Sequence, residues 1–198
     1  MKVNDKQARA TITKLGLDKP YLLFVGTLEP RKNLVRLMEA YTLLPKAVRN
    51  KYSLILAGKV DWKYHETKSK LESLQADGFD IRYLGYVDDD TRAALYQNSR
   101  LMVLASYYEG FGMQILESMQ YGIPSAVSDI PVFREVGGEH IAYFNHLDPS
   151  DIAQSIASSL KRPMPKQGTL QKIVASKPDW PTVARDLLKR INQEIDKA

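Results

Sequence analysis

The chain has 198 residues, of which 44% are hydrophobic and 26% charged, with no cysteine and a formal net charge of +5. That length and apolar content suffice for one α/β domain with its own core and exclude a disordered chain. The lack of cysteine excludes disulfides, thiolate metal sites and cysteine nucleophiles, and no apolar run approaches the ~20 residues that cross a bilayer.

The first residues, Met1 to Asp5, hold no apolar core of a signal peptide, and the composition suits a reducing compartment. Beyond them, six short apolar runs alternate with helical patterns. Strands are read over 21–26, 53–58, 81–84, 101–104, 125–128 and 141–144. They show little polar alternation, as strands covered on both faces do. Helices are read over 33–44, 63–77, 89–98, 113–121, 150–161 and 181–194. In the first, Leu34, Leu37, Met38, Tyr41 and Leu44 recur at helical spacing and form one core-facing stripe. Turn and cap residues stand between elements: Asp88-Asp89-Asp90-Thr91, Asp129-Ile130-Pro131 and Asp148-Pro149-Ser150-Asp151. Strict strand–helix alternation predicts a Rossmann-like, doubly wound parallel sheet of about six strands with helices on both faces.

Residues 161–181, with Pro163, Pro165, Gly168, Pro178 and Pro181, read as an irregular connector with room for a short helix around 170–175. Residues 182–195 then form a terminal helix, amphipathic through Val183, Leu187, Leu188 and Ile191, with Trp180 just before it. Its apolar stripe packs either on this domain or on a body outside the chain.

Ligands in open α/β sheets bind at the carboxyl ends of the strands. That rule gathers 26–33, 58–62, 85–88, 106–112 and 128–131 along one edge. The most informative stretch there is Glu109-Gly110-Phe111-Gly112-Met113-Gln114-Ile115-Leu116-Glu117. Strand, glycine turn and helix N-terminus make an anion site from backbone N–H groups. The flanking carboxylates have the wrong charge for phosphate but suit hydroxyls, so a sugar phosphate or a nucleotide sugar fits. Glu117 falls in the second helical turn, on a face read as shared with Gln114 and Tyr121, while Met113, Leu116 and Met119 face elsewhere. A carboxylate there can accept two hydrogen bonds from a ribose diol. Glu109 sits at the mouth, where sugar hydroxyls would lie. The plainer alternative makes Glu109 a loop acid and Glu117 a surface helix residue.

The first strand ends in Val25-Gly26-Thr27-Leu28-Glu29-Pro30-Arg31-Lys32-Asn33. Two cations at a helix N-terminus add to its dipole, hold a diphosphate and stabilise charge developing on a leaving phosphate. Arg grips two oxygens, whereas Lys acts as a point charge. Against this stands a turn proline followed by a solvated pair. The net charge is equally open, to an anionic partner or to a mixed, solvated surface of 28 basic and 23 acidic residues.

Gly110-Phe111-Gly112 is not a dinucleotide fingerprint, because Ile115 takes the third glycine position and the turn follows the fourth strand. An NAD site is disfavoured and no Walker A sequence occurs. Asp88, Asp89 and Asp90 are read as helix-capping acids in preference to metal ligands. His65, His140 and His146 lack ligand spacing, and His146 has a second reading at the ligand edge. Trp62 and Tyr64 read as packing or as a lip near a base.

Taken together, these residues resemble the carboxy-terminal, donor-binding domain of a GT-B fold glycosyltransferase of the retaining family 4, or group 1, class. The resemblance runs from about Lys14 to Asn192. It is carried by the 25–33 and 109–117 segments, Leu84-Gly85-Tyr86-Val87, Tyr121-Gly122-Ile123-Pro124, Ser128-Asp129 and Arg134-Glu135-Val136. It implies that Glu109 meets hydroxyls of the donor sugar and Glu117 the ribose. Backbone N–H groups of Phe111, Gly112 and Met113, beyond Gly110, would face sugar and phosphates. Lys32, with Arg31, would bind the diphosphate beside Gly26 and Thr27. Gly85, Tyr86 and Val87 would edge the base. In such enzymes the nucleoside diphosphate leaves and the acceptor attacks from the same face through an oxocarbenium-like state. The resemblance implies no cofactor and no metal, since the cations stabilise the leaving group.

Thr27 stands where the family commonly has Arg, and Arg31 is read as supplying that charge. Gln114 stands where proline is frequent. The Glu-Pro-Arg-Lys-Asn loop resembles that of mannosyltransferases of bacterial surface-polysaccharide assembly, which points to GDP-mannose and leaves UDP-sugars open. An amino-terminal, acceptor-binding half is not in the chain. Residues 1–198 are therefore read as the donor domain of a longer protein, inefficient in transfer alone, with its last helix crossing to the missing half. The implied partners are a nucleotide-diphosphate sugar and, through that half, a glycan or lipid-linked acceptor. Peripheral membrane contact of the full protein is implied, and no nucleic acid. The implied location is the cytoplasm, up to the inner face of its membrane. Two other classes stay open: a non-catalytic nucleotide-binding or assembly domain, and nucleic-acid binding, which no basic stripe with interleaved aromatics supports.

Overall fold

The computed structural model describes residues 3–60, 65–166 and 168–195. In chain order, α1 (Asp5–Lys14) precedes β1 (Tyr21–Val25), and a single 3-10 turn (Pro30–Lys32) leads into α2 (Leu34–Leu43). There follow α3 (Lys46–Lys51), β2 (Ser53–Ala57), α4 (His65–Ala76), β3 (Ile81–Tyr83), α5 (Asp89–Asn98) and β4 (Leu101–Leu104). The second half holds α6 (Met113–Tyr121), β5 (Ser125–Ser128), α7 (Pro131–Gly137), β6 (Ala142–Phe144) and α8 (Pro149–Lys161). α9 (Thr169–Ala175) and α10 (Trp180–Ile195) complete it.

The six strands form one sheet in the order β3-β2-β1-β4-β5-β6, and every pairing is parallel. All residues of β1, β2, β4 and β5 are buried, which is why those runs show no polar alternation. Helices cover both faces, as the alternation predicts: α2 packs against α4 and α8, α1 against α5, and α6 against α5, α7 and α9. Leu22, Phe24, Ile55 and Val103 from the sheet meet Leu37, Met38, Ile152 and Ile156 from the helices in a single core. The chain therefore has the doubly wound, all-parallel sheet that the sequence predicts. β1 pairs with β2 along its whole length but with β4 only at Leu22 and Leu23. The carboxyl ends of β1 and β4 thus part, at the point where the strand order reverses. Such a switch point opens a crevice for ligands.

The structure adds three helices that the sequence reading lacked. α1 is capped by the Asn4 side chain, which accepts from the Lys6 N–H, but buries only Ala8 and Ile12. α3 has no fully buried residue and meets the core through Val48, so it has no apolar period to read. α7 begins on Pro131, which reads as a turn yet suits the first helical position. Residues 161–181 are not irregular throughout. α8 runs to Lys161, α9 docks through buried Leu170, and α10 starts at Trp180. On α10, Val183, Leu187, Leu188, Ile191 and Ile195 are exposed, so its stripe is not buried on this domain. Among the described residues, no helix is long and apolar enough to cross a membrane.

Candidate functional site

The site is assembled by the loops that leave β1 and β4. At the end of β1, a Cβ on Gly58 would lie 1.9 Å from the Gly26 carbonyl oxygen, with φ at +148°. Glycine alone permits that approach of the two strand ends. Gly58 in turn donates its N–H to the Gly85 carbonyl at 2.8 Å, which ties the end of β3 to the same edge. The chain then makes its 3-10 turn and leaves it through Asn33, in the left-handed region with φ 55°. Asparagine tolerates that conformation better than most residues. Asn33 is buried, and its Nδ2 donates to the His146 carbonyl at 2.8 Å. This tether turns Lys32 inward, where it is only 3% exposed. The expectation that both cations open a helix is corrected here: they occupy a separate turn, and α2 starts after Asn33.

The loop after β4 closes over that turn. The Tyr107 N–H donates to the Arg31 carbonyl at 2.8 Å. Glu109 Oε1 accepts from Lys32 Nζ at 2.5 Å and from Ser106 Oγ at 2.8 Å, while Oε2 accepts from Arg31 Nη1. Arg31 Nη2 also pairs with Glu29 Oε1 at 2.6 Å. Burial pushes the Glu109 carboxyl up, but the hydrogen bonds from Lys32, Ser106 and Arg31 outweigh it and hold it below the usual range. Burial lowers Arg31, yet Glu109 and Glu29 leave it above its ordinary value. The structure therefore brings Arg31, Lys32 and Glu109 together, but not as separate reagents. Two acids and two bases form one formally neutral cluster.

The N-terminus of α6 adds a second attraction for an anion. Gly112 caps it with φ +87° and no side-chain cap, and a Cβ there would sit 2.9 Å from the Phe133 ring. The first turn of α6 stands over β1, since Gln114 Nε2 is 3.5 Å from where a Gly26 Cβ would be. Thr27, Gly110, Phe111 and Met113 are exposed along this edge.

Glu117 lies apart from the cluster, on the α5 side of α6. Its Oε2 accepts from the Tyr96 hydroxyl at 2.9 Å, and its Oε1 pairs with Arg92 Nη1 at 3.3 Å. Tyr96 stacks on Tyr121 with ring centroids 5.3 Å apart and planes 5° from parallel. Arg92, Tyr96, Met113, Leu116, Glu117 and Tyr121 border a cavity of about 290 Å³. Met113 and Leu116 thus share the cavity with Glu117 instead of facing elsewhere, because 113, 116, 117, 120 and 121 make one stripe at helical spacing. Tyr121 shares that face as expected, Met119 is buried in the core, and Gln114 leans toward Gly26.

Gly85, Tyr86 and Val87 follow β3, two strands away from β1. Tyr86 is exposed, with Lys59 Nζ 5.0 Å from its ring centroid. Asp88 caps α5 by accepting from the Thr91 N–H at 2.7 Å, and Asp89 pairs with Arg92. His146 borders an open cavity with Asp129, Arg134 and Asn145, and its ring meets Tyr107 edge-on at 5.7 Å. Burial, then the Arg36 charge, lowers its pKa. Trp62 and Tyr64 lie outside the described residues. Sequence reasoning gave no role to Glu29, Asn33, Arg92, Tyr96 or Ser106. One signal was present: Arg92 and Tyr96 are one helical turn apart, as are Glu117 and Tyr121.

A family model described as glycosyl transferases group 1 matches residues 5–174. O-antigen chain mannosyltransferase B of Escherichia coli is 40% identical over 71% of this chain and 37% of its own. Sucrose-phosphate synthase from Thermosynechococcus elongatus superposes with a TM-score of 0.76 at 23% identity, over 100% of this chain and 52% of that one. Anabaena Alr3699/HepE, in complex with UDP and glucose, gives 0.77 at 19% identity, over 97% and 53% of the two chains. The structural likenesses show the fold. The chain spans between about a third and a half of the length of these proteins.

Proposed function

The chain belongs to the glycosyl transferases group 1 family, and we propose that it is the nucleotide-sugar-binding half of a retaining glycosyltransferase. The observation that carries this reading is the convergence, at the β1/β4 switch point, of Arg31, Lys32 and Glu109 with the glycine-capped N-terminus of α6. The diphosphate lies against the α6 backbone N–H groups and draws on Lys32 and Arg31, which stabilise the charge that develops as it leaves. Glu109 meets the sugar hydroxyls, and Glu117 the ribose. Gly26 and Thr27 flank the phosphates, and Gly85, Tyr86 and Val87 edge the base. The acceptor attacks the donor sugar from the side of the departing diphosphate through an oxocarbenium-like state. Cations in the leaving-group position make the transfer independent of metal.

GDP-mannose is the preferred donor, supported by the Glu-Pro-Arg-Lys-Asn loop and by the mannosyltransferase name of the 40% identical Escherichia coli relative. The same name supports a glycan or lipid-linked acceptor in surface polysaccharide synthesis, reached through an acceptor-binding half outside this chain. The full protein then works in the cytoplasm, against the inner face of the membrane. A UDP-sugar is the second reading, favoured by the UDP in the Anabaena structure.

Calorimetric titration with GDP, UDP and ADP, each with and without Mg²⁺, tests the reading. Saturable, metal-independent binding of GDP is expected. Preference for UDP moves the donor to the second reading. Binding of none, or binding only with Mg²⁺, overturns the site as described.

A further inference from the structure

Tyr96 has no part in the donor site as read from sequence, yet it pairs with Glu117 and is far more deeply buried than Arg92, which also pairs with it. It is 1% exposed, donates its hydroxyl to Glu117 Oε2 at 2.9 Å and stacks on Tyr121. Arg92 approaches the other oxygen, Oε1, at 3.3 Å from a side chain that is 41% exposed and shared with Asp89. The two partners differ in persistence. A buried, stacked phenol has one geometry, whereas a solvated guanidinium exchanges its partners at little cost.

We propose that Tyr96 is a positioning residue for the donor nucleotide: it holds Glu117 Oε2, so that Oε1 is presented to a ribose hydroxyl, which replaces Arg92 there. The inference rests on the reading that Glu117 meets the ribose. The terminal torsion of a glutamate is broad, so an untethered carboxylate presents its lone pairs over a wide range of directions. One fixed oxygen removes that freedom and orients the other. The Tyr96 hydroxyl remains a donor through the neutral range, because burial and the Glu117 charge raise it well above its ordinary value.

The test is calorimetric titration of the full chain, of Tyr96→Phe and of Glu117→Ala. The titrants are whichever of GDP or UDP the unchanged chain binds, and its 2′-deoxy and 3′-deoxy forms. The unchanged chain is expected to bind one deoxy form about tenfold more weakly. Tyr96→Phe should weaken the ribonucleotide about tenfold and leave the deoxy form within about twofold, so that the hydroxyl penalty collapses. A merely structural role would weaken both forms alike, and that result overturns the proposal. Glu117→Ala separates the two ideas. If it keeps the penalty, the ribose reading fails and takes this inference with it, as does a chain that binds no nucleotide. If Glu117→Ala erases the penalty and Tyr96→Phe keeps it, the inference alone fails. Should Tyr96→Phe not fold, Arg92→Gln carries the test. It is expected to raise ribonucleotide affinity about twofold with the penalty intact. Loss of the penalty in Arg92→Gln makes Arg92 the orienting partner and overturns the role of Tyr96.

Discussion

Glu109 and Glu117 stand at the two ends of one glycine turn, eight positions apart, in opposite surroundings. The Glu109 side chain is 6% exposed and accepts from two cations and a hydroxyl. The Glu117 side chain is 26% exposed and accepts from one buried phenol and one solvated guanidinium. The first is a charge neutralised by charge, where the loops after β1 and β4 meet. The second is a charge that accepts from a neutral donor at the wall of a cavity. The difference teaches how one helix N-terminus and its approach loop can hold two carboxylates by different means. Where a cationic pair must be kept poised, a buried carboxylate balances it. Where a carboxylate has no cation buried beside it, as at Glu117, one fixed hydrogen bond sets its direction.

Removing the carboxylates one at a time breaks this comparison most directly. Glu109→Ala leaves buried Lys32 without its acceptor and is expected to cost about 3 kcal/mol of folding stability. Glu117→Ala leaves one phenol unpaired and should cost about 1 kcal/mol. Urea denaturation of both variants measures the pair, and equal losses would erase the contrast.

The acid limb of stability sharpens it. The folded state holds Glu109 below its ordinary value, so its contribution is complete above the unfolded carboxylate pKa of ~4.3. It is lost as the pH falls through the lower folded value. Glu109→Gln should therefore flatten the loss of stability below about pH 4.5, read from denaturation midpoints at a series of pH values. An unchanged acid limb would place the carboxylate outside the cluster.

The smallest effect concerns the tether behind Lys32. Asn33→Gly keeps the left-handed turn but removes the bond to the His146 carbonyl, and should cost about 1 kcal/mol or less. Its effect belongs to the Glu109 side alone. A double-mutant cycle with Glu109→Ala should show coupling, and one with Glu117→Ala none above about 0.5 kcal/mol.

Much of the fold was legible because the central strands are buried on both faces and read as unbroken apolar runs. α1, α3 and α7 were not, since each buries three or fewer residues or opens on a proline. Within the site, the spacing of Glu109 and Glu117 and the glycines between them lie on one local segment, where helical periodicity can be read. The bond between Lys32 and Glu109 joins residues 77 positions apart. It depends on β1 lying beside β4, which local periodicity does not specify. The Tyr96–Glu117 bond likewise depends on which face α5 turns toward α6. A tyrosine in a helix that also buries Ala93, Ala94 and Leu95 reads as core, and only the packed structure separates its ring from its hydroxyl.

The division of labour between the two carboxylates is tested most directly by titrating Glu109→Gln and Glu117→Ala with GDP and with GDP-mannose. Glu117→Ala is expected to weaken both ligands about tenfold. Glu109→Gln frees Lys32 and Arg31 for the diphosphate, so it should not weaken GDP, and it should remove the additional affinity that the sugar provides. Equal weakening of both ligands by both variants, or no change in either, would contradict a donor site in which one carboxylate reads the sugar and the other the ribose.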